Sequence, residues 1–462
     1  MTYFTKKKVV FYFPWKEISG GPYYLTRLAD KLAEDSIFEV YYTDYKNGLS
    51  DQLLTNPLVK KIEVSEADFG IHMDTEPCIL ITPIYWACWL PKMHPDSKVL
   101  FFNWHNSCIP VLQSVWAVTN KELSKFLHLV KSTNSVFFAD YSHRMAQNTD
   151  GIIFEENYVP IVMQQKKIRA NPNFVKNGEI NIAVLGRLCL DKIYAIIDLL
   201  DNLKKIKTTA KKNVYIIGSG DQKDKILNDS YPSMNIYFTG TITGEELDLF
   251  LSKKVDVLFA MGTSVLEGAA IKLPSVIIPH NVVPFSCDKY VYLQNTKKYC
   301  LGWYDTQIDD LDLNTIPLKQ IINDIYLNNK KKELGEGAYH YFIKNHVIEH
   351  AINNLKHFIE KTSFRYRDFE YFTYKIYKKQ KRWRVLGLSI VTLYKNNNND
   401  CRINLFSHIP FFYYKQSKRA IKEKVFYFWF IPLLTFTSKK NGAVIKISVT
   451  IISKIIKWIK GK

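Results

Sequence analysis

The sequence predicts an α/β protein of two doubly wound lobes with a cleft between them, followed by a basic, aromatic tail. Three observations predict it. Strand-like and helix-like runs alternate over roughly the first 360 residues, the pattern of parallel sheets. A polar stretch at 160–180 interrupts the alternation, and a second alternating series follows it. The charge is uneven: residues 364–462 hold 22 Lys and Arg against 4 Asp and Glu, while the rest hold 41 against 40. The expected organisation is a first lobe over 1–165, a second lobe over 175–340, a closing helix over 341–363 and a tail over 364–462.

In the first lobe, Lys8 to Pro14 is a short apolar run. Gly20, Gly21 and Pro22 precede a helical pattern with Leu25, Leu28, Leu32 and Ala33 on one face. Ile37–Tyr42, Ile79–Pro83, Val99–Trp104, Val136–Ala139 and Gly151–Phe154 read as further strands. The polar residues of 160–180, with Gln164 to Lys167 and Asn171-Pro172-Asn173, read as a linker.

The second series has strands at Asn181–Leu185, Asn213–Ile217, Asn235–Phe238, Val255–Ala260 and Ser275–Pro279. Its helices fall at about 192–206, 221–228, 244–253 and 264–272. Gly186, Gly218, Gly240 and Gly262 each follow a strand, where glycine permits tight turns at the carboxyl edge of a sheet. Ligands of doubly wound folds sit at that edge. Tyr339 to Thr362 reads as one helix.

Several function classes are excluded or demoted. Seven cysteines stand singly at 78, 88, 108, 189, 287, 300 and 401, with no CxxC pair. That argues against a disulfide scaffold or a structural zinc and for a reducing, cytoplasmic location. The apolar run Val9 to Trp15 is too short for a secretory signal core. The longest uncharged run, Val425 to Ser438, contains Pro432 and falls short of the about 20 residues a membrane span needs. Asp310-Leu311-Asp312 is formally an Asp-x-Asp metal motif, but its setting beside Asp309 and Asn314 reads as turn chemistry. No metal or cofactor is expected.

Two constellations carry chemistry. The first is Gly186-Arg187-Leu188 with Lys192, where a strand gives way to a helix. Two cations there can neutralise a diphosphate, or they can be solvated residues of a first helical turn. The second is Gly262 to Pro274. Thr263 and Ser264 open a helix directly after a buried strand, so their backbone amides form an anion site. Glu267 lies one turn in, within reach of a ribose diol. It can also serve as the capping-box partner of Ser264.

These residues resemble those of GT-B nucleotide-sugar glycosyltransferases, and family 4 of that class most. The resemblance covers about residues 8–361 and implies two Rossmann-like lobes. Gly186, Arg187, Leu188 and Lys192 match the family's Gly-Arg-Leu-x-x-x-Lys motif. Glu267, Gly268, Ala270 and Pro274 match its Glu-Ala-x-Ala-x-Gly-x-Pro motif. The resemblance implies that Arg187 and Lys192 bind the donor diphosphate and Glu267 the ribose. It implies that Ile236 to Gly240 border the base pocket, and that Gly20 and Gly21 form a loop approaching the donor phosphates. The chain departs from the pattern at Phe259, where a first glutamate often stands, and at Ile193 and Lys272, where the family has glycines. His105, after the strand Val99–Trp104, stands where family members often have a histidine; it is the candidate general base, with His143 and Asp44 weaker. The structural reading of a lone histidine competes with that role.

The tail holds a weak repeat: Val385–Val391, Leu405–Phe412 and Phe428–Leu434, aligned on Ser389, Pro410 and Pro432. Its aromatic and β-branched content predicts β-ribbons. Val444 to Lys460 reads as an amphipathic helix with a basic face, with a strand possible at its start. The tail resembles C-terminal extensions of bacterial enzymes that build lipopolysaccharide and capsule. That implies a glycan or lipid-linked glycan acceptor and an anionic membrane surface as partners, on the inner face of the cytoplasmic membrane. Two other readings are a non-catalytic or nucleic-acid-binding protein using the basic tail, and a GT-B-fold sugar-nucleotide epimerase. The tail's apolar runs suit lipid better than nucleic acid, and an epimerase would need no such tail.

Overall fold

The computed structural model describes residues 6–15, 20–64, 72–73, 75–116, 120–148, 152–173, 178–227 and 231–369, and in the tail 379–385, 388–395, 401–405, 409–416, 422–428, 431–439 and 442–447. The body divides into two compact units. One takes in residues up to Phe137, Asn148–Glu155 and the chain from Phe358 on; the other takes in Phe138–Gln147 and Glu156–His357.

The first unit is built on a six-stranded sheet in the order Lys60–Val64, Phe38–Tyr45, Lys7–Tyr12, Ile79–Pro83, Lys98–Asn103, Val136–Phe138. The pairs among the first five strands are parallel. Val9 to Tyr12 and Val99 to Phe102 are fully buried, as expected of strands covered on both faces. Two readings change. The outer strand is Lys60–Val64, whose Lys-Lys-Ile-Glu-Val sequence is too polar to announce itself, because an edge strand is covered on fewer sides. No strand forms over Ile152–Phe154. The core also reaches past residue 364. Phe364 and Phe369 are fully buried, Phe364 packs edge-on against Phe101 and Phe126, and Arg365 bridges to Lys98.

The second unit carries a six-stranded sheet in the order Met234–Gly240, Lys211–Ile217, Glu179–Leu185, Val257–Ala260, Ser275–Ile277, Val291–Tyr292. All pairs are parallel except the last. Helices Leu190–Lys205, Asp224–Leu227, Gly244–Lys254 and Thr263–Ala270 connect the strands, close to the expected places. The strand order runs outward in both directions from the pair Glu179–Leu185 and Val257–Ala260. That pair is therefore the topological switch point.

A polar ladder crosses this sheet near its amino edge. Asn235 donates to Asn213 at 2.8 Å, and Asn213 donates to Asn181 at 3.1 Å. Asn181 donates its backbone N–H to Asp256 at 2.9 Å and its carboxamide at 3.2 Å. Asp256 receives the Lys331 ammonium at 2.8 Å, and Lys331 also reaches the Val255 carbonyl at 3.1 Å. Both charged side chains are essentially without solvent contact. Burial pulls each toward its neutral form and the pairing opposes it.

The segment expected as a linker is laid along the second unit. Ala170 N–H donates to the Ile271 carbonyl at 2.6 Å, and Asn171 N–H to that of Ser252 at 3.3 Å. The expected single helix 339–362 is two helices, Lys331–Asn345 and Ile348–Lys361, broken at His346. The break serves the same segment. The His346 ring Nδ1–H donates to the Ile161 carbonyl at 2.7 Å, and its backbone carbonyl accepts the Met163 N–H at 3.0 Å.

In the tail, seven strands form an antiparallel meander from Lys379–Val385 to Gly442–Ile447. The repeat is real as structure: each copy spans the close of one antiparallel pair, at Val385 with Leu388, Leu405 with Ile409 and Phe428 with Ile431. The expected basic helix begins as the strand Gly442–Ile447; its remainder lies outside the described residues.

Lys331→Met should strand a buried carboxylate and cost about 3–5 kcal/mol in urea unfolding. The double variant Asp256→Asn, Lys331→Met should recover part of that loss. A second expectation concerns acid. Burial pushes the His346 imidazole from 6.5 down to about 4, so the native state prefers it neutral. Its contribution is complete above pH 6.5 and is lost as pH falls toward 4, a difference of about 3 kcal/mol. Asp198, pushed up to about 6 chiefly by burial, acts oppositely across part of that window. The measurement is therefore stability against pH relative to His346→Asn, which keeps a donor for Ile161 without titrating. The wild type should lose ground to the variant between pH 7 and 4.

Candidate functional site

The site grows from the switch point of the second unit. Leu185 pairs with Ala260, so the loops beginning at Gly186 and Met261 leave the sheet side by side. Glycines let neighbouring loops nest at this edge. A Cβ on Gly218 would lie 2.0 Å from the Gly186 carbonyl oxygen, and one on Gly220 would lie 2.2 Å from that of Leu188. Backbone bonds then stitch the edge together. Gly186 N–H donates to Ile217, Leu188 N–H to Ser219 and Gly218 N–H to the Gly240 carbonyl. Gly240 ends its strand at φ 75°, and beside it Thr241 shares a hydroxyl hydrogen bond of 2.7 Å with Ser219.

Arg187 is exposed and Lys192 half-buried at the start of the Leu190–Lys205 helix. The Lys192 side chain arches over Gly186, its Cδ 3.5 Å from where a Cβ would stand. Neither cation makes an ion pair or hydrogen bond among the described residues. Burial pulls the Lys192 ammonium below its ordinary value; Asp191 opposes this and Arg187 adds to it. A cation that has lost water and gained no anion is held ready for one. Between them Cys189 donates its thiol to Asp191 at 2.8 Å. Burial, and then that bond, push the thiol up to about 11, so it is no nucleophile at neutral pH.

On the adjoining loop, Gly262 caps the Thr263–Ala270 helix at φ 62°, a conformation open to glycine at little cost. The amides of Thr263 and Ser264 have no acceptor among the described residues, which leaves a helix amino end open beside two free cations. Glu267 faces away from a capping role. Its carboxylate pairs with Lys166, which also pairs with Asp248. Lys166 was invisible to the motif reading, since nothing in a Gln-Gln-Lys-Lys run signals a partner one hundred residues away.

The expected residues of the first unit are placed as follows. Gly20 and Gly21 are not a loop: they are the first turn of the Gly20–Leu32 helix. Gly21 needs its smallness, because a Cβ there would stand 3.0 Å from the Trp104 ring. That ring belongs to a cluster with Phe13 and Tyr85 at the carboxyl ends of three strands. His105 is exposed at the carboxyl edge, and its Nδ1 accepts the Ser107 N–H at 3.1 Å. The Ser107 hydroxyl also lies 2.8 Å from Nδ1; with Nδ1 accepting from both groups the proton of the neutral ring stands on Nε2, and a base role at Nε2 requires the other tautomer. Asp44 accepts the Tyr45 and Ser50 N–H groups, both at 2.8 Å, so it is a turn-holding residue. In the second unit, the Asp140 carboxylate accepts the His143 N–H at 2.9 Å, capping the Tyr141–Ala146 helix. Asp312 pairs with Lys297. No group of three or more metal-binding side chains occurs among the described residues.

No family model matches the sequence, and no curated protein matches it. Among solved structures, sucrose-phosphate synthase from Thermosynechococcus elongatus is similar with a TM-score of 0.50 at 13% identity, over 77% of this chain and 99% of that one. The chain has the GT-B fold. Also similar are the apo form of the lipopolysaccharide outer core galactosyltransferase WaaB, with a TM-score of 0.45 at 12% identity over 76% and 99% of the two chains, and WaaG, a glycosyltransferase involved in lipopolysaccharide biosynthesis, with 0.43 at 11% over 77% and 100%. At these identities the likeness is one of fold.

Proposed function

We propose that the protein is a glycosyltransferase that moves a sugar from a nucleotide-sugar donor to a glycan acceptor. The observation that carries this reading is the open anion site of the second unit. Among the described residues, Arg187 and Lys192 lack partners and the Thr263 and Ser264 amides lack acceptors, on loops that leave adjacent strands. Negative charge on a nucleoside diphosphate rises as the glycosidic bond breaks. Fixed cations and amides at that position stabilise the leaving group more than the ground state. Glu267 accepts hydrogen bonds from the ribose diol, and the Gly240 edge borders the base. His105 is the histidine offered to the acceptor. In the tautomer its neighbours favour, it donates a hydrogen bond from Nε2 and orients a hydroxyl.

The acceptor is a surface glycan on a lipid carrier, of the lipopolysaccharide, lipooligosaccharide or capsule kind, and the tail brings the enzyme to the inner face of the cytoplasmic membrane. The register of the tail sheet supports this. Positions Val391, Leu393, Ile403, Phe412, Phe426, Leu434, Phe436 and Ile445 share one face, and Lys379, Lys395, Lys422 and Lys424 share it toward one end. Arg382, Arg402, Lys415, Lys446 and three tyrosines share the other. An apolar sheet face bordered by lysines suits an anionic bilayer surface, where each basic residue contributes about 1 kcal/mol. No helix among the described residues is long and apolar enough to cross a membrane.

Lys192→Ala and Glu267→Ala should each weaken nucleoside diphosphate binding at least tenfold by calorimetry, with thermal unfolding little changed. Wild-type affinity in both would refute the donor site. For the tail, full-length protein should sediment with anionic liposomes and release as salt rises, since the Debye length shrinks to ~3 Å at 1 M. A chain ending after Phe369, which keeps the buried Phe364 and Phe369, should stay in the supernatant. Equal sedimentation of the two would exclude the membrane role.

A further inference from the structure

Lys166 stands between two carboxylates, those of Glu267 and Asp248. The segment that carries it is tied to the helix that carries Glu267. Four residues on, Ala170 is bonded to the Ile271 carbonyl at that helix's end. Next to it, the Arg169 guanidinium reaches the Ala270 carbonyl at 3.4 Å and lies 4.9 Å from the Tyr339 ring centre. The lysine is thus fixed from behind. Side-chain exposure orders the three groups: Lys166 14%, Asp248 13% and Glu267 27%. Glu267 is the member a ligand reaches, and the other two back it.

We propose that Lys166 is a positioning residue for Glu267, holding its carboxylate in the pose that accepts both hydroxyls of a ribose diol. The proposal rests on the donor-site reading above. A carboxylate offers about four lone-pair directions, and Lys166 takes one on Oε2. That leaves Oε1 and the outer side of Oε2 for two vicinal hydroxyls. Without the lysine, Glu267 and Asp248 are two carboxylates that share no cation. Their mutual repulsion then turns Glu267, the more exposed of the two, toward water. A displaced Glu267 cannot accept from both hydroxyls.

Removing a cation also weakens any diphosphate ligand, so affinity alone does not decide. The deciding readout is the preference for a ribonucleoside diphosphate over its 2′,3′-dideoxy form, with uridine, guanosine and adenosine diphosphates as probes on the full-length protein. The wild type should prefer the ribo form. Lys166→Met should reduce that preference roughly tenfold, the loss expected when charge-assisted hydrogen bonds go, while the dideoxy form changes much less. Lys166→Arg should restore the preference. In a Glu267→Gln background, Lys166→Met should change it no further, which identifies Glu267 as the route. Should Lys166→Met fail to fold, Lys166→Gln gives the same comparison with a neutral donor of similar length. An unchanged preference in a folded Lys166 variant that still binds nucleotide overturns the proposal. No binding of any of the three diphosphates by the wild type overturns the donor-site reading beneath it.

Discussion

The buried Asp256–Lys331 pair, with the asparagines that lead to it, is the constraint on which the second unit depends. Asp256 stands just before the strand Val257–Ala260, and it grips the backbone N–H of Asn181 in the neighbouring strand. That contact fixes the register of the two strands at their amino ends. Four residues later the same register brings Leu185 level with Ala260. A shift of one residue would exchange the side chains packed on the two covered faces of one strand, each shaped to its own helices, so the register has no near alternative. The two loops that carry Arg187 and Thr263 therefore owe their adjacency to an ion pair at the opposite edge of the sheet. A buried pair of this kind is weak evidence for net stability, but removing one partner is costly. Its value here is in placement.

The carboxyl edge solves the converse problem. Backbone groups leaving a sheet need partners, and here they find them in one another: the loops after three neighbouring strands bond in series, from Leu188 to Ser219 and from Gly218 to Gly240. Only the absence of side chains at Gly218 and Gly220 allows so close an approach. Among the described residues, the Thr263 and Ser264 amides, Arg187 and Lys192 are left without partners, and the Asp191 carboxylate beside Lys192 offsets only one of the two cations. The one carboxylate on that helix, Glu267, is neutralised by a lysine from a different part of the chain. An edge whose internal needs are met, and whose surplus is positive, is preorganised for an anion without a cost in reorganisation.

How much of this was legible depends on the range of the interaction. The buried strands showed in runs such as Val-Leu-Phe-Phe because a strand covered on both faces has no polar positions to spare. Helix starts and strand-end glycines are local too, and they mark the loops at Gly186 and Gly262 in the sequence. Phe259 is now explained as core: fully buried, it packs edge-on against Tyr290, in a place with no room for a charge. What was not legible comes from distant partners. The outer strand Lys60–Val64 offers only Ile62 and Val64 as an apolar alternation, too short to mark a strand. His346 breaks a helix whose periodicity runs on, because its bonds go to Ile161 and Met163. Lys166 reads as part of a polar linker, although the Met163, Ala170 and Asn171 amides of that segment bond to the second unit.

The tail shows a case where the sequence pattern was visible and its meaning was not. The three copies place apolar residues at Leu388, Val391 and Leu393, at Ile409, Phe412 and Tyr414, and at Ile431, Leu434 and Phe436. A step of three followed by a step of two fits neither a helix nor a flat strand. The pairing resolves it. Each second strand carries one unpaired residue, Ile390, Phe411 or Leu433, where the register shifts against its partner. A bulge inserts one residue without reversing the alternation beyond it. The turn-closing position and the body of the strand therefore fall on the same face, and the three apolar triplets share that face. The serine or proline before each bulge falls on the opposite face, and the bulge itself accommodates a residue that cannot donate to the ladder. The 21- and 22-residue steps of the repeat thus each span two strands and one bulge, and the recurrence of the bulge keeps the paired strands in phase.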